Sequence, residues 1–382
     1  MGLVINNCIT MTAVNRTLRN TVPLKIFRHI STRSNTALFG GSPGSFAEQK
    51  GLAFLEHQAE FLLKKQLPAV ILCQNPDWEY RLREHFEKQI CVFGKDSAYD
   101  PFGNCVTYEH AKLIFMKIIQ AYVMYLNPQA ESDKLLRFCE LQLDFLQTMK
   151  AEYFTYANFA ILAHHVMYSE TALMYLDALK QDGMIIPSNI ESAVAKNWEE
   201  KTVQQFREFW FYMSRAFAVF RPADALGRRL FSVQELLNDN RCLLIRTGGK
   251  ESLLVTAALY AELEMLCQKQ QIFFFLDENV PIPEDTGKML FSSKMSFGLY
   301  FSSVPALQMP PEIIIQNTDA LVSLGVSTPE EAQTLSELCK QHSRKAGEIP
   351  PSLLMHGVQG LPDGSACVML KQKAMCCAWL CV

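Results

Sequence analysis

Thr36-Ala37-Leu38-Phe39-Gly40-Gly41 runs straight into Ser42-Pro43-Gly44-Ser45-Phe46-Ala47-Glu48. An apolar run thus breaks into a glycine-rich turn and re-emerges as a helical pattern. Residues 36–41 read as a buried strand entering its turn, and Leu52, Leu55, Ala59 and Leu62 then recur on one helical face. AVILCQ (69–74) and ICVFG (90–94) read as a second and a third buried strand. Strand, helix and strand at this spacing form the βαβ pattern of a parallel sheet covered by helices. Between residues 20 and 106 the sequence shows one helical pattern among short β-type runs.

Outward from this segment the texture changes twice. Residues 107–230 are almost wholly helical in pattern. Ile114, Ile118, Ala121 and Tyr125 share a face that ends at Asn127-Pro128, and Ser132 can cap the next helix. Val203, Phe206, Trp210, Met213 and Phe217 form an apolar stripe ending at Pro222, the pattern of a packed core face. From 231 the α/β rhythm returns. Ser232 and Glu235 form a capping box, CLLIRTG (242–248) reads as a strand, and 251–268 as a helix with Leu254, Ala258, Ala261 and Met265 on one face. IFFFLDE (272–278), FGLYFSSV (297–304) and ALVSLGV (320–326) are further strands. Thr328-Pro329-Glu330-Glu331 opens a helix with cap, proline and capping-box glutamate in place. A hairpin closes the chain. The expected organisation is a split α/β domain, 20–106 with 231–382, carrying an inserted all-α domain at 107–230.

Bulk numbers narrow the classes. At roughly 150 residues per domain, 382 residues correspond to two or three domains. With 49% hydrophobic and 20% charged residues the chain is globular, and 18 Gly and 17 Pro rule out collagen-like or linker-rich architecture. Net charge is −3 and the pI near 6.3. DNA binding is therefore not indicated by bulk charge, although a local basic groove is compatible with these values. The 12 cysteines have no CxxC pair, and several sit in apolar runs, so they read as reduced, buried side chains of a cytosolic protein. The N-terminus has no signal-peptide layout, and no stretch reaches 18 uninterrupted apolar residues. Asn6 and Trp379 stand where myristoylation and prenylation signals need Ser/Thr and Cys. His164-His165 point about 100° apart on a helix and cannot chelate one ion; no metal site is expected.

Two places have the shape of nucleotide chemistry. A P-loop, GxxxxGK[ST], wraps phosphates with backbone amides, neutralises them with Lys and holds Mg²⁺ with Ser or Thr. Here Gly41, Gly44 and Ser45 preserve the opening of such a loop, but Phe46, Ala47 and Glu48 occupy the Gly, Lys and Ser/Thr positions. Phe46 crowds the backbone and Ala47 removes the cation. Glu48 sets a carboxylate against a polyphosphate, a repulsion of about 4 kcal/mol per close charge at an effective dielectric near 20. An ordinary β–α turn is the competing reading. The second place is Asp277-Glu278 after the apolar run 272–276. In the Walker B arrangement the Asp holds Mg²⁺ and the Glu orients the attacking water; the competing reading is a solvated strand end.

The order of these pieces resembles the cytoplasmic ATPase domain of type IV secretion coupling proteins, the TraG/TraD-type members of the FtsK/HerA hexameric motors. Arg28-His29 precede the FGGSPGS turn, and Asn75-Pro76-Asp77-Trp78-Glu79-Tyr80 look like the family's Asp-Pro-x-x-Glu turn. Asp100-Pro101-Phe102-Gly103 match the turn before its inserted helical domain, and FFFLDE its Walker B strand. The segment from Asn317 to Ala332 and the closing hairpin Leu361-Pro362-Asp363-Gly364-Ser365-Ala366 are similar too. The resemblance covers roughly residues 22–382. It implies a RecA/FtsK-like P-loop NTPase fold with a mainly parallel central sheet and an inserted all-α domain. Departures are equally marked. Transmembrane helices that usually open family members are not seen, the phosphate loop is dismantled, and Phe301-Ser302-Ser303-Val304-Pro305 lacks the family's polar sensor. Lys294 stands near a family arginine but lacks its bidentate fork.

The resulting expectation is a pseudo-ATPase paralogue of the coupling proteins. It would serve a type IV secretion or conjugation system as a structural or substrate-recruiting subunit without ATP hydrolysis. Asp277 and Glu278 would be a remnant, and no cofactor would be needed. Partners would be secretion-system proteins, such as an active coupling ATPase or cargo and adaptor proteins, in a hetero- or homo-oligomer. The protein would be cytoplasmic, or peripheral at the bacterial inner membrane through those partners. Two alternatives stay open. One is an unconventional ATP/Mg-dependent motor translocating DNA or protein, with Lys50 or Lys294 replacing the missing lysine. The other is a helical binding module unrelated to secretion.

Overall fold

A computed structural model describes residues 4–5, 8–9, 35–41, 46–74, 76–93, 95–96, 98–99, 101, 107–126, 128–129, 177, 180–181, 183, 230–231, 233–247, 252–266, 271–277, 282, 284–292, 295–303, 310–326, 328–342, 365–371 and 376–379. The chain divides into two compact units: Met1–Cys91 with Leu237–Thr247 and Leu266–Val382, and Val92–Leu236 with Gly248–Met265.

In the first unit a short antiparallel pair, β1 (Val4–Ile5) and β2 (Cys8–Ile9), precedes the main sheet. The strands of that sheet are β3 (Thr36–Phe39), β4 (Ala69–Cys73), β5 (Ile90–Val92), β8 (Cys242–Arg246), β9 (Phe273–Leu276), β10 (Ser296–Phe301), β11 (Ala320–Ser323), β12 (Ser365–Leu370) and β13 (Cys376–Trp379). Their order across the sheet is β13-β12-β11-β3-β10-β9-β4-β8-β5. From β11 through β3, β10, β9 and β4 to β8 every pairing is parallel, and the β11–β12 and β12–β13 pairings are antiparallel. The expected α/β class with a mainly parallel central sheet is therefore what the chain adopts. Every residue of β3, β4, β9, β10 and β11 is buried. Strands covered on both faces cannot alternate polar and apolar residues, which is why they read as continuous apolar runs.

Helix α1 (Phe46–Lys64) buries Leu52, Leu55, Ala59 and Leu62, the face the spacing predicts. Pro76 to Tyr80, in the stretch read as a turn, are instead the start of a second helix, α2 (Pro76–Phe86), which buries Trp78 and Leu82. Proline is tolerated at a first helical position because its missing N–H is one that no helix pairs. Two apolar anchors in eleven residues make too weak a period to announce the helix.

In the second unit β6 (Ala98–Tyr99) pairs in parallel with β7 (Leu230–Phe231). Helix α3 (Tyr108–Ala121) starts where Thr107 Oγ1 accepts the His110 N–H at 3.3 Å, and it buries Ile114, Ile118 and Ala121. A π-helical turn, Tyr122–Leu126, follows. Most of the remainder of 107–230, with its aromatic stripe and His164-His165, lies outside the described residues.

Back along the chain come α4 (Val233–Asn238) and α5 (Ser252–Leu266). Most of α5 falls in the second unit and is buried nearly all round, Glu262 and Glu264 included. Tyr99 donates its hydroxyl proton to Glu262, and Lys117 lies 3.7 Å from Glu264; buried carboxylates need such partners. Helices α6 (Glu284–Ser292) and α7 (Pro311–Asn317) were not legible as apolar stripes. Helix α8 (Pro329–His342) begins as its sequence predicts, with Thr328 Oγ1 accepting from the Glu331 N–H at 3.2 Å. Among the described residues no helix is long and apolar enough to cross a membrane.

Candidate functional site

The connection leaving β3 passes through α1 to β4, over β10 and β9. The connection leaving β10 goes the other way, to β11 on the far side of β3. Two adjacent parallel strands whose connections diverge open a crevice beyond their C-terminal ends, where ligands of α/β sheets bind. The glycine turn read from the sequence sits at this point.

Its first two residues carry the geometry that glycine allows. Gly40 has φ +91° and Gly41 φ +87°, a region an L side chain rarely adopts. Gly40 donates its N–H to Phe301 O (3.0 Å), Gly41 to Gly325 O (2.8 Å), and Leu324 donates to Phe39 O (2.8 Å). The turn is thereby fastened to the ends of both neighbouring strands, and Phe39 stacks on Phe301 with ring centroids 5.4 Å apart. A Cβ on Gly40 would lie 2.2 Å from Gly325 O, and one on Gly41 would lie 3.2 Å from Glu48 N. Gly41 therefore folds directly over the first turn of α1.

Phe46 and Ala47 are the first two helical residues of α1; their side chains, that of Lys50, and all of Gly44 and Ser45 lie outside the described residues. Glu48, in the same first turn, is only 5% exposed. The Ser/Thr position of a phosphate loop is thus filled by a buried carboxylate.

Asp277 ends β9 and is 1% exposed. Its Oδ1 accepts the Gln74 N–H at 2.5 Å, and its own N–H donates to Leu72 O at 3.0 Å. Both bonds tie β9 to β4, whereas the glycine turn lies on the other side of β9, beyond β10. Two strand spacings amount to about 10 Å. The structure brings the two sequence-read elements to the same edge of the sheet, with β10 between their strands. Beside Asp277, burial first and the Asp277 charge second push the Cys73 thiol far above its ordinary pKa, so it is no nucleophile. Among the described residues, Cys73, Cys91, Cys242 and Cys339 are buried thiols outside any disulfide. The Thr247 N–H donates to Cys73 O at 2.9 Å, while buried Thr247 Oγ1 has no hydrogen-bond partner among the described residues.

Glu278, Lys294, Arg28-His29 and Asp100 lie outside the described residues. Among the described residues no group of three His, Cys, Asp or Glu side chains could hold a metal ion. Of this turn only Gly40 and Gly41 belong to the described residues; Ala47 offers no cation at the lysine position, and Glu48 stands beside Gly41. The sequence reading missed one signal here: Ser45-Phe46-Ala47-Glu48 has the S-x-x-E spacing of a capping box.

No family model matches the sequence, and no curated protein does. Among solved structures the fold is similar to VirB4 of Thermoanaerobacter pseudethanolicus, with a TM-score of 0.49 and 11% sequence identity over 90% of this chain and 88% of that one. A likeness this faint carries nothing about function.

Proposed function

We propose that this chain is a pseudo-ATPase, a subunit that keeps the frame of a nucleotide site without its chemistry. In this reading it serves a type IV secretion or conjugation machine as a structural or substrate-recruiting component. The observation that carries the first part is the buried Glu48 under the Gly41 turn, with Ala47 in the lysine position. A polyphosphate there would meet a carboxylate in place of a hydroxyl-held metal and a cation. Asp277 supports the same reading, because its carboxylate already accepts the Gln74 N–H. The secretion role rests on the order of sequence motifs that resembles the TraG/TraD-type coupling proteins. Secretion-system proteins are the partners it proposes, an active coupling ATPase or cargo and adaptor proteins, with residues 107–230 as the recruiting segment.

The test is calorimetric titration of the full chain with Mg-ATP into the millimolar range, alongside a phosphate-release assay. The expected result is no binding heat and no turnover. Micromolar binding with turnover abolished by Glu278→Gln would overturn the proposal in favour of an unconventional motor.

A further inference from the structure

We infer that His342 is an acid-sensitive clasp: its neutral ring fastens the last turn of α8 to the start of β11, and protonation releases that turn. The buried face of α8 runs through Ala332, Leu335, Leu338 and Cys339, and the next place on that stripe belongs to His342. A titratable ring thus stands, buried, where the spacing calls for an apolar side chain. Its Nε2 lies 3.0 Å from Thr318 O. A carbonyl only accepts, so Nε2 carries the proton and Nδ1 is the lone-pair nitrogen of a neutral imidazole. Nδ1 is buried with no hydrogen-bond partner among the described residues. Thr318 closes α7, and Asp319 beside it bonds to Asn35 and accepts the Lys371 N–H. The clasp therefore joins α8 to the junction where β3, β11 and β12 meet.

Protonation sets a second N–H donor at Nδ1, facing no acceptor among the described residues. An unmet charged donor in a core costs more than the unmet acceptor it replaces. Two charged groups face the ring. Lys371, just past β12, opposes a cation there, and Asp319, just before β11, favours one. The Asp319 carboxylate already accepts the Asn35 N–H at 2.9 Å. Helix α7 brings only Glu312, in its first turn and away from Thr318. Cys367 of β12 pairs with Ser323, at the far end of β11 from Asp319. On α8 itself Glu337 is exposed, Lys340 lies on the opposite side of the helix, and burial keeps the Cys339 thiol protonated. The dipole of α8 favours a cation in its last turn. Burial is the largest influence and sets the sign, holding the ring's pKa below 6.5. Opening the turn gives the ring to water. The clasp is therefore whole above about pH 6.5 and is lost as pH falls through the folded value. It lies at the end of the sheet away from the glycine turn and stands whether or not that turn binds nucleotide.

The experiment is amide hydrogen exchange of the full chain at about pH 7.5 and 5.0, each rate corrected for the intrinsic pH dependence of exchange. The native chain is compared with His342→Gln, which keeps a donor for Thr318 O and does not titrate. In the native chain the protection of residues 339–342 is expected to fall about tenfold on acidification, while that of residues 52–63 in α1 holds. In His342→Gln the turn should be equally protected at both values. Unchanged protection of residues 339–342 in the native chain would overturn the inference. So would an equal fall in α1, the mark of global acid unfolding, or an equal fall in His342→Gln. Should that variant fail to fold, the contrast between α8 and α1 in the native chain still decides.

Discussion

The two ends of the parallel sheet spend their polar atoms differently. At the end where β3, β10 and β11 begin, Asn35 acts as a hub. Its N–H donates to Asp319 Oδ2 (2.9 Å), its Nδ2 to Asn317 O (2.9 Å), and its Oδ1 accepts the Phe297 N–H (3.1 Å). Its carbonyl accepts from Asp319 N (2.8 Å). Thr318 Oγ1 donates to Ile314 O (2.8 Å), His342 Nε2 lies 3.0 Å from Thr318 O, and Lys371 Nζ donates to Gln316 O (2.7 Å). At the opposite end the described residues show a glycine turn, the Asp277 clasp and a buried Thr247 hydroxyl without a partner among them. Side-chain bonding at the first end fixes the register of strands distant in sequence. Among the described residues of the second end, the glycine turn's bonds to the neighbouring strands are backbone bonds made by Gly40 and Gly41.

The contrast is open to direct attack. Asn35→Ala removes two side-chain bonds at once and leaves their part-buried partners unmet, at about 2–4 kcal/mol. Urea unfolding should show the corresponding fall in midpoint; a loss below about 0.5 kcal/mol would mean that the hub does not hold the sheet. A matched pair sharpens the point. Thr318→Val deletes a made hydrogen bond and should cost about 1 kcal/mol. Thr247→Val deletes a hydroxyl with no partner and should be neutral or stabilising. Equal costs at the two sites would erase the distinction between the ends.

The smallest effect is on pH dependence. Burial holds the His342 ring neutral and pulls its pKa below the ordinary 6.5, with the Lys371 cation adding to this; the Thr318 bond and the Asp319 carboxylate oppose it. A lowered folded pKa means that the unfolded chain binds the proton first. The stability His342 contributes is therefore whole above about pH 6.5 and is lost as pH falls through the folded value. In His342→Gln the slope of stability between about pH 7 and 5 should flatten; an unchanged slope would place the acid sensitivity on other groups.

Much of this molecule was determined by local pattern. Continuous apolar runs marked the buried strands, the Leu52–Leu62 spacing marked α1, and Thr328 with its proline and glutamates marked the start of α8. These signals are legible because each depends on a few neighbouring residues. Helices α2, α6 and α7 escaped because they are short, and α2 and α7 open on proline next to residues that also favour turns. Tertiary structure alone decided the strand order, which depends on crossovers between distant segments and leaves no mark in any window of sequence. It also decided the surroundings of the candidate residues. The end of β4 brings the Gln74 amide to the Asp277 carboxylate. Glu48 is buried beside Gly41 in the first turn of α1. A carboxylate's role is set by which donors surround it, and those donors come from segments that only folding brings near.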